Sequence, residues 1–203
     1  MFEAIIHGCI LSLGLILPLG VQNIFIFNQG AAQPRFLWVL PAIITASVCD
    51  SVLIALAVLG VSVVVLGSFW IKVTLLSAGV LFLVYMGFVT WRSNPSVMQD
   101  ETLLYQPKKQ IAFALSVSLL NPHAILDTVG VIGTSSLRYT GTEKIAFALA
   151  CIVISWIWFT GLGIAGGIIG KVDRTGHFIK VLNKLSAIVM WGTAVYIGSS
   201  ILK

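Results

Sequence analysis

Apolar residues run along this chain in long blocks, and the polar residues collect in the gaps between them. Six blocks can be drawn, at about residues 4–27, 36–66, 69–91, 111–134, 145–169 and 185–202. Each is long enough to cross a hydrocarbon layer about 30 Å thick as a helix rising about 1.5 Å per residue. The pattern predicts an all-α integral membrane protein with six transmembrane helices. Asn28-Gln29-Gly30 with Gln33-Pro34 predicts a short turn after the first block, and Gly67-Ser68 predicts a break after the second. Residues 92–110 form the one substantial polar stretch, carrying Arg92, Asp100, Glu101, Lys108 and Lys109. It reads as the linker between two three-helix halves, 1–91 and 111–203, of a single transmembrane domain spanning residues 1–203.

Two of the blocks are interrupted in the same way. The first contains Leu17-Pro18-Leu19-Gly20-Val21-Gln22-Asn23, and the fourth contains Leu120-Asn121-Pro122-His123-Ala124-Ile125-Leu126-Asp127. Proline removes a backbone donor and frees a carbonyl, which a bilayer tolerates only where protein or water surrounds it. Interrupted helices at corresponding places in two halves point to a transporter's binding site. With three spans per half, the halves run in opposite directions, so the expected plan is a 3+3 inverted repeat with helices one and four broken. Loops one-two, three-four and five-six hold eight Lys and Arg (Arg35, Arg92, Lys108, Lys109, Lys171, Arg174, Lys180, Lys184), against four on the other side (Lys72, Arg138, Lys144, Lys203). That imbalance puts the first set in the cytoplasm and both termini outside. The first block, with no Lys or Arg before it, reads as a retained span and not a cleaved signal.

Composition sharpens this picture. Of the 203 residues 58% are hydrophobic and only 9% charged, where a soluble domain carries about 25% charged residues. The net charge of +5 lies in loops, and no basic patch is interleaved with aromatics, so nucleic-acid binding is not expected. Cys9, Cys49 and Cys151 are odd in number and sit in apolar spans, which fits packing and neither a disulfide framework nor a metal site. No cofactor or metal is expected. Trp38, Trp70 and Trp91 fall at span ends as interfacial anchors, whereas Trp156, Trp158 and Trp191 lie inside spans, suited to a substrate path or to packing. The fifth block carries Gly163/Gly167 and Gly166/Gly170 at spacings of four, which permit close helix approach. Packing within one protomer is the expected use, and a homo-oligomer stays open.

Asp50 and Asp127 are the acids deep in apolar blocks, with no Lys or Arg at comparable depth. A carboxylate there costs about 2.5–3.5 kcal/mol on insertion scales, so it persists through protonation, pairing or contact with a cation. Around the two breaks, Pro18, Gly20, Asn121 and Pro122 offer freed backbone groups, and Gln22, Asn23 and Asn121 add neutral polar contacts. A freed carbonyl suits a substrate ammonium, and the N-terminus of the half-helix beyond it suits a carboxylate. His123, at depth, can move protons or be satisfied by a local hydrogen bond; His7 and His177 near span ends read as solvated or interfacial. An intramembrane aspartyl protease also needs two carboxylates, but no Gly-x-Gly precedes either acid, so an enzyme is not the expected reading.

These residues together resemble the lysine/arginine exporter (LysE) family: the Leu17–Asn23 stretch, Asn28-Gln29-Gly30, Asp50 and the Leu120–Asp127 stretch. The resemblance covers essentially the whole chain. It implies a multi-pass protein of the bacterial cytoplasmic membrane that expels amino acids, driven by protons or the membrane potential. The related threonine/homoserine exporters carry Pro-Gly-Pro in span one and lack an acid at the Asp127 position. Gln22-Asn23 and Asp127 therefore place the chain nearer the branch that exports basic amino acids, and a second buried acid suits a substrate with a second positive charge. Val21 stands where the family usually has a second proline. The expected function is export of L-lysine or L-arginine by alternating access, with Asp50 and Asp127 binding cation or proton. The alternatives are export of neutral amino acids and efflux of an inorganic cation.

Overall fold

The computed structural model describes residues 1–17, 20–61, 69–92, 106–119, 125, 127–173 and 176–201. Every regular element among the described residues is helical. The helices are α1 (Phe2–Ile16), α2 (Val21–Ala32), α3 (Leu40–Leu56), α4 (Phe69–Arg92), α5 (Pro107–Leu119), α6 (Gly133–Ser136), α7 (Gly141–Val172) and α8 (His177–Ile201). Two π-helical turns, Ala57–Val61 after α3 and Asp127–Ile132 before α6, add to them. Among the described residues three helices are long and apolar enough to cross a membrane, at Leu40–Gly60, Gly141–Val172 and His177–Tyr196. The pair α1 and α2, bent by 79° at their junction, makes a fourth if counted as one span.

The first block is broken where the sequence expects. α1 stops at Ile16, Gly20 is extended at φ −80°, ψ 175°, and α2 restarts at Val21. Pro18 and Leu19 lie outside the described residues. The expected turn at Asn28-Gln29-Gly30 does not form: all three stay in α2 and are buried, and the chain leaves the helix only at Gln33. Amides that read as loop chemistry in sequence are thus interior groups of a half-helix packed against α7, α3, α5 and α8. Asn28 Nδ2 donates to Asn183 Oδ1 at 2.9 Å, and Gln33 Nε2 donates to Gln29 Oε1 at 3.3 Å.

Other boundaries shift for local reasons. The expected second span, 36–66, opens with a 3-10 turn (Phe36–Trp38), runs as helix from Leu40, and kinks at Gly60, whose φ of 100° a side chain would resist. The expected linker 92–110 ends earlier, because α5 begins at Pro107, a favoured first-turn residue. The helix expected from about 185 is α8, which begins already at His177, since its basic lead-in is helical too. Asp173 makes that start possible: its Oδ1 accepts from the His177 N–H and its Oδ2 from the Ile179 N–H, both at 3.1 Å.

Three apolar clusters hold the bundle. Val21, Ile24, Leu83, Met86, Val117 and Met190 join α2, α4, α5 and α8. Ala4, Ile54, Phe147 and Cys151 join α1, α3 and α7. Ile26, Val39, Ile43, Ala46 and Phe159 join α2, α3 and α7. The fifth-block glycines act within the chain: a Cβ at Gly30, Gly166 or Gly170 would run into the backbone of Gly163, Phe27 or Ala31 respectively. At Gly163 a Cβ would come 2.7 Å from Ile43 Cδ1. α2 and α7 therefore touch backbone to backbone, the contact small residues allow in a membrane.

Candidate functional site

α7 gathers the site. Cys151, Ser155 and Trp158 lie at i, i+4 and i+7, so they share one face, and each meets a different element. Cys151 binds α1, with Sγ donating to the Gly8 carbonyl at 3.5 Å and its own carbonyl accepting from Ser12 Oγ at 3.3 Å. Ser155, fully buried, lies beside Asp50 of α3, and among the described residues its hydroxyl closes no hydrogen bond within the usual geometry. Trp158 donates from Nε1 to Asn23 Oδ1 of α2 at 3.3 Å. Asp50 and the break in span one therefore meet the same face of α7 within one helical turn, about 5 Å along its axis.

Asp50 falls at the middle of the apolar stretch Leu40–Gly60 and is half-buried. Among the described residues no Lys or Arg pairs with it. Polar groups flank it on its own helix: Ser47, fully buried, leaves its hydroxyl unbonded, and Ser51 Oγ donates to the Ser47 carbonyl at 2.6 Å. Trp156 Nε1 in turn donates to Ser51 Oγ at 3.0 Å. On α5, Ser118 is buried and lies against Cys49, its hydroxyl without a partner in hydrogen-bond geometry among the described residues. Buried hydroxyls left without a partner each forfeit about 1–3 kcal/mol, a cost a polar guest can relieve.

At the break itself, Gly20 caps α2 through its backbone alone, with no side-chain cap and no acid in the first turn. No described atom lies within 4 Å of the place a Cβ would take on Gly20. Gln22, one residue into the helix, is buried, and among the described residues its Nε2 has no acceptor. An uncapped helix start beside an unused amide donor is a place for a carboxylate. Asn23 is buried too, with Nδ2 on the Ile16 carbonyl at 2.6 Å.

Of the residues singled out in sequence, Gly20, Gln22, Asn23 and Asp50 are thus brought to one region by α2, α3 and α7. Pro18, Asn121, Pro122 and His123 lie outside the described residues, and of Asp127 only the backbone, opening the second π-helical turn, is described. That turn packs against the π-helical turn after α3. Sequence reasoning missed Ser47, Ser118 and Ser155. Isolated serines in apolar blocks carry no signal by themselves, although Ser155 shares a helical face with Cys151 and Trp158. The in-span tryptophans all bond across helix pairs, Trp191 through Nε1 to the Val84 carbonyl at 3.2 Å in a notch left by Gly87. His7, half-buried near the start of α1, pairs Nδ1 with the Tyr139 hydroxyl at 2.9 Å and packs on Phe147.

The family model described as LysE type translocator matches residues 13–200. The chain belongs to this family. The match covers α1 from Leu13, the break, α2, Asp50 and nearly all that follows, so the site lies inside it. Among curated relatives, a protein of Bacillus subtilis (strain 168) named as a candidate amino-acid transporter, YisU, is 57% identical over 199 residues, covering 98% of this chain and 90% of its own. The arginine exporter protein ArgO of Escherichia coli O157:H7 is 33% identical over 199 residues, covering 96% of this chain and 93% of its own. ArgO of Escherichia coli (strain K12) is 32% identical over 199 residues. No solved structure matches the chain at a significant level. Membership makes the chain a membrane translocator and not an enzyme, which disposes of the protease alternative.

Proposed function

We propose that the protein exports basic L-amino acids, arginine or lysine, across the cytoplasmic membrane by alternating access. The observation that carries this reading is Asp50, a mid-span carboxylate with no described cation partner, set on the same face of α7 as the open, uncapped start of α2. An α-amino acid brings a carboxylate for the helix start and an ammonium for freed carbonyls or an acid. A basic one brings a further cation, for which Asp127 is the second acid. The name ArgO on relatives aligned over nearly the whole chain supports the same substrate class.

Six spans in two inverted halves are part of this reading. Exchanging spans one and four, two and five, and three and six should turn each helix pairing into another pairing of the fold. Most pairings among the described residues support it, although α2 on α8 has no comparable counterpart of α4 on α5 among them. α1 and α2 on α7 correspond to α5 and its following π-helical turn on α3, while α3 with α7, α4 with α8 and α2 with α5 map onto themselves. Rocking one half against the other would then expose the site to each side in turn. Moving one positive charge out against 100 mV costs about 2.3 kcal/mol, so an entering proton per exported cation cancels the electrical work. Asp50 and Asp127 are the groups proposed to carry that proton.

The test is efflux of labelled arginine, lysine and threonine from preloaded cells or inverted vesicles, with and without a proton gradient. Saturable movement of arginine or lysine that collapses with the gradient is the expected result. Threonine movement alone would overturn the basic-substrate reading.

A further inference from the structure

The break in span one is held by a relay of two side chains. In an unbroken helix the Ile16 carbonyl would accept from the amide of Gly20, four residues on. Gly20 is extended, so that carbonyl loses its helical donor. Asn23 Nδ2 replaces it at 2.6 Å, and Trp158 Nε1 donates to Asn23 Oδ1 at 3.3 Å. The chemistry of the two ends settles which way the amide points: a carbonyl only accepts and an indole N–H only donates. Ile16 and Trp158 also pack on the same apolar cluster, formed by Ile26, Val39, Ile43, Ala46 and Phe159. The relay therefore joins the end of α1, the first turn of α2 and the middle of α7.

We propose that Trp158 is a positioning residue for the substrate site: by orienting Asn23 it holds the uncapped start of α2 in place at the break. The inference rests on the reading of that helix start as the carboxylate end of the substrate site. Asn23 then serves to shape the site, since its amide is engaged on Ile16 and Trp158, and Gln22 is the side-chain donor left without an acceptor among the described residues. Phenylalanine at 158 keeps most of the ring and loses the donor, which separates the relay from packing.

The test is a double-mutant cycle with Trp158→Phe, Asn23→Ala and the pair, measuring KM and maximal rate of efflux for arginine and lysine, with protein abundance monitored. Losing one buried hydrogen bond in the relay should raise KM for both substrates alike, by roughly five- to tenfold. Trp158→Phe should add nothing in the Asn23→Ala background, because its partner is already gone. Effects that multiply, or a Trp158→Phe protein with unchanged KM, would overturn the proposal. If the unaltered protein moves neither arginine nor lysine, the functional reading fails and the cycle is read on thermal unfolding in detergent. There, a Trp158→Phe shift that vanishes beside Asn23→Ala sustains the relay, and independent shifts overturn it. Should Asn23→Ala fail to insert, Asn23→Leu, of similar shape, removes both the acceptor for the indole and the donor to Ile16 and fills its place in the cycle.

Discussion

A carboxylate at mid-span costs about 2.5–3.5 kcal/mol to insert, and Asp50 offsets that cost through no described cation. In the proposed reading the charge of Asp50 answers a cationic guest or a proton. Asp50→Asn keeps the shape and removes the charge, and should abolish export while abundance in the membrane stays normal; full efflux by a well-inserted variant would rule out its role. Ser155→Ala is subtler. Its hydroxyl is buried beside Asp50 with no partner in hydrogen-bond geometry among the described residues, so removing it should leave thermal stability unchanged or slightly higher while weakening transport. Efflux kinetics set beside unfolding in detergent would check both halves of that expectation. Asp50 was legible in sequence because a lone acid in an apolar block stands out. Ser155 was not, because serine is common in membrane helices and acquires meaning only from what it faces.

At the scale of elements, α7 sets the geometry. One stripe (Cys151, Ser155, Trp158) addresses α1, Asp50 and the break, and a glycine stripe further along (Gly163, Gly166, Gly170) lets α2 and α3 approach. Gly166→Leu should force α2 away from α7, costing about 1–3 kcal/mol by overpacking and lowering the yield of folded protein, measurable by gel filtration in detergent. Gly161→Leu, where a Cβ meets no described atom within 4 Å, should be tolerated and serves as the control. The start of α8 supplies a separate test. Asp173→Ala removes acceptors for two first-turn amides and should cost about 1 kcal/mol of stability without altering substrate preference. The GxxxG spacing announced a close approach in sequence; that Gly30 on α2 answers Gly163 became visible only when Asn28-Gln29-Gly30 proved to be buried helix.

For the whole molecule, the proposed plan of two inverted halves makes a prediction about sidedness. Single cysteines placed near Gln33 and Gly176 should react with a membrane-impermeant reagent from the cytoplasm, and one near Thr140 from outside, in a background with Cys9, Cys49 and Cys151 replaced. Reaction of all three from one side would overturn the inverted plan. Replacing the native cysteines is expected to be mild for Cys9 and Cys49. Cys151 touches the Gly8 carbonyl and is buried, so serine suits it better than a larger residue.

Hydropathy by itself determined that the chain is helical and membrane-bound, because hydrocarbon leaves backbone polar groups few other ways to be satisfied. Local chemistry placed the break at Pro18-Gly20, since a missing donor and a missing side chain act on neighbours in sequence. Asp50 declared itself through the cost of its charge. Tertiary structure alone decided that Asn28 and Gln29 are interior, that three tryptophans tie helix to helix, and that Ser155 and Trp158 bring Asp50 and the break to one face of α7. These are properties of partners 105 to 155 residues apart along the chain. A polar group's role in a membrane is set by what answers it across the helix interface, and no pattern within one span records that.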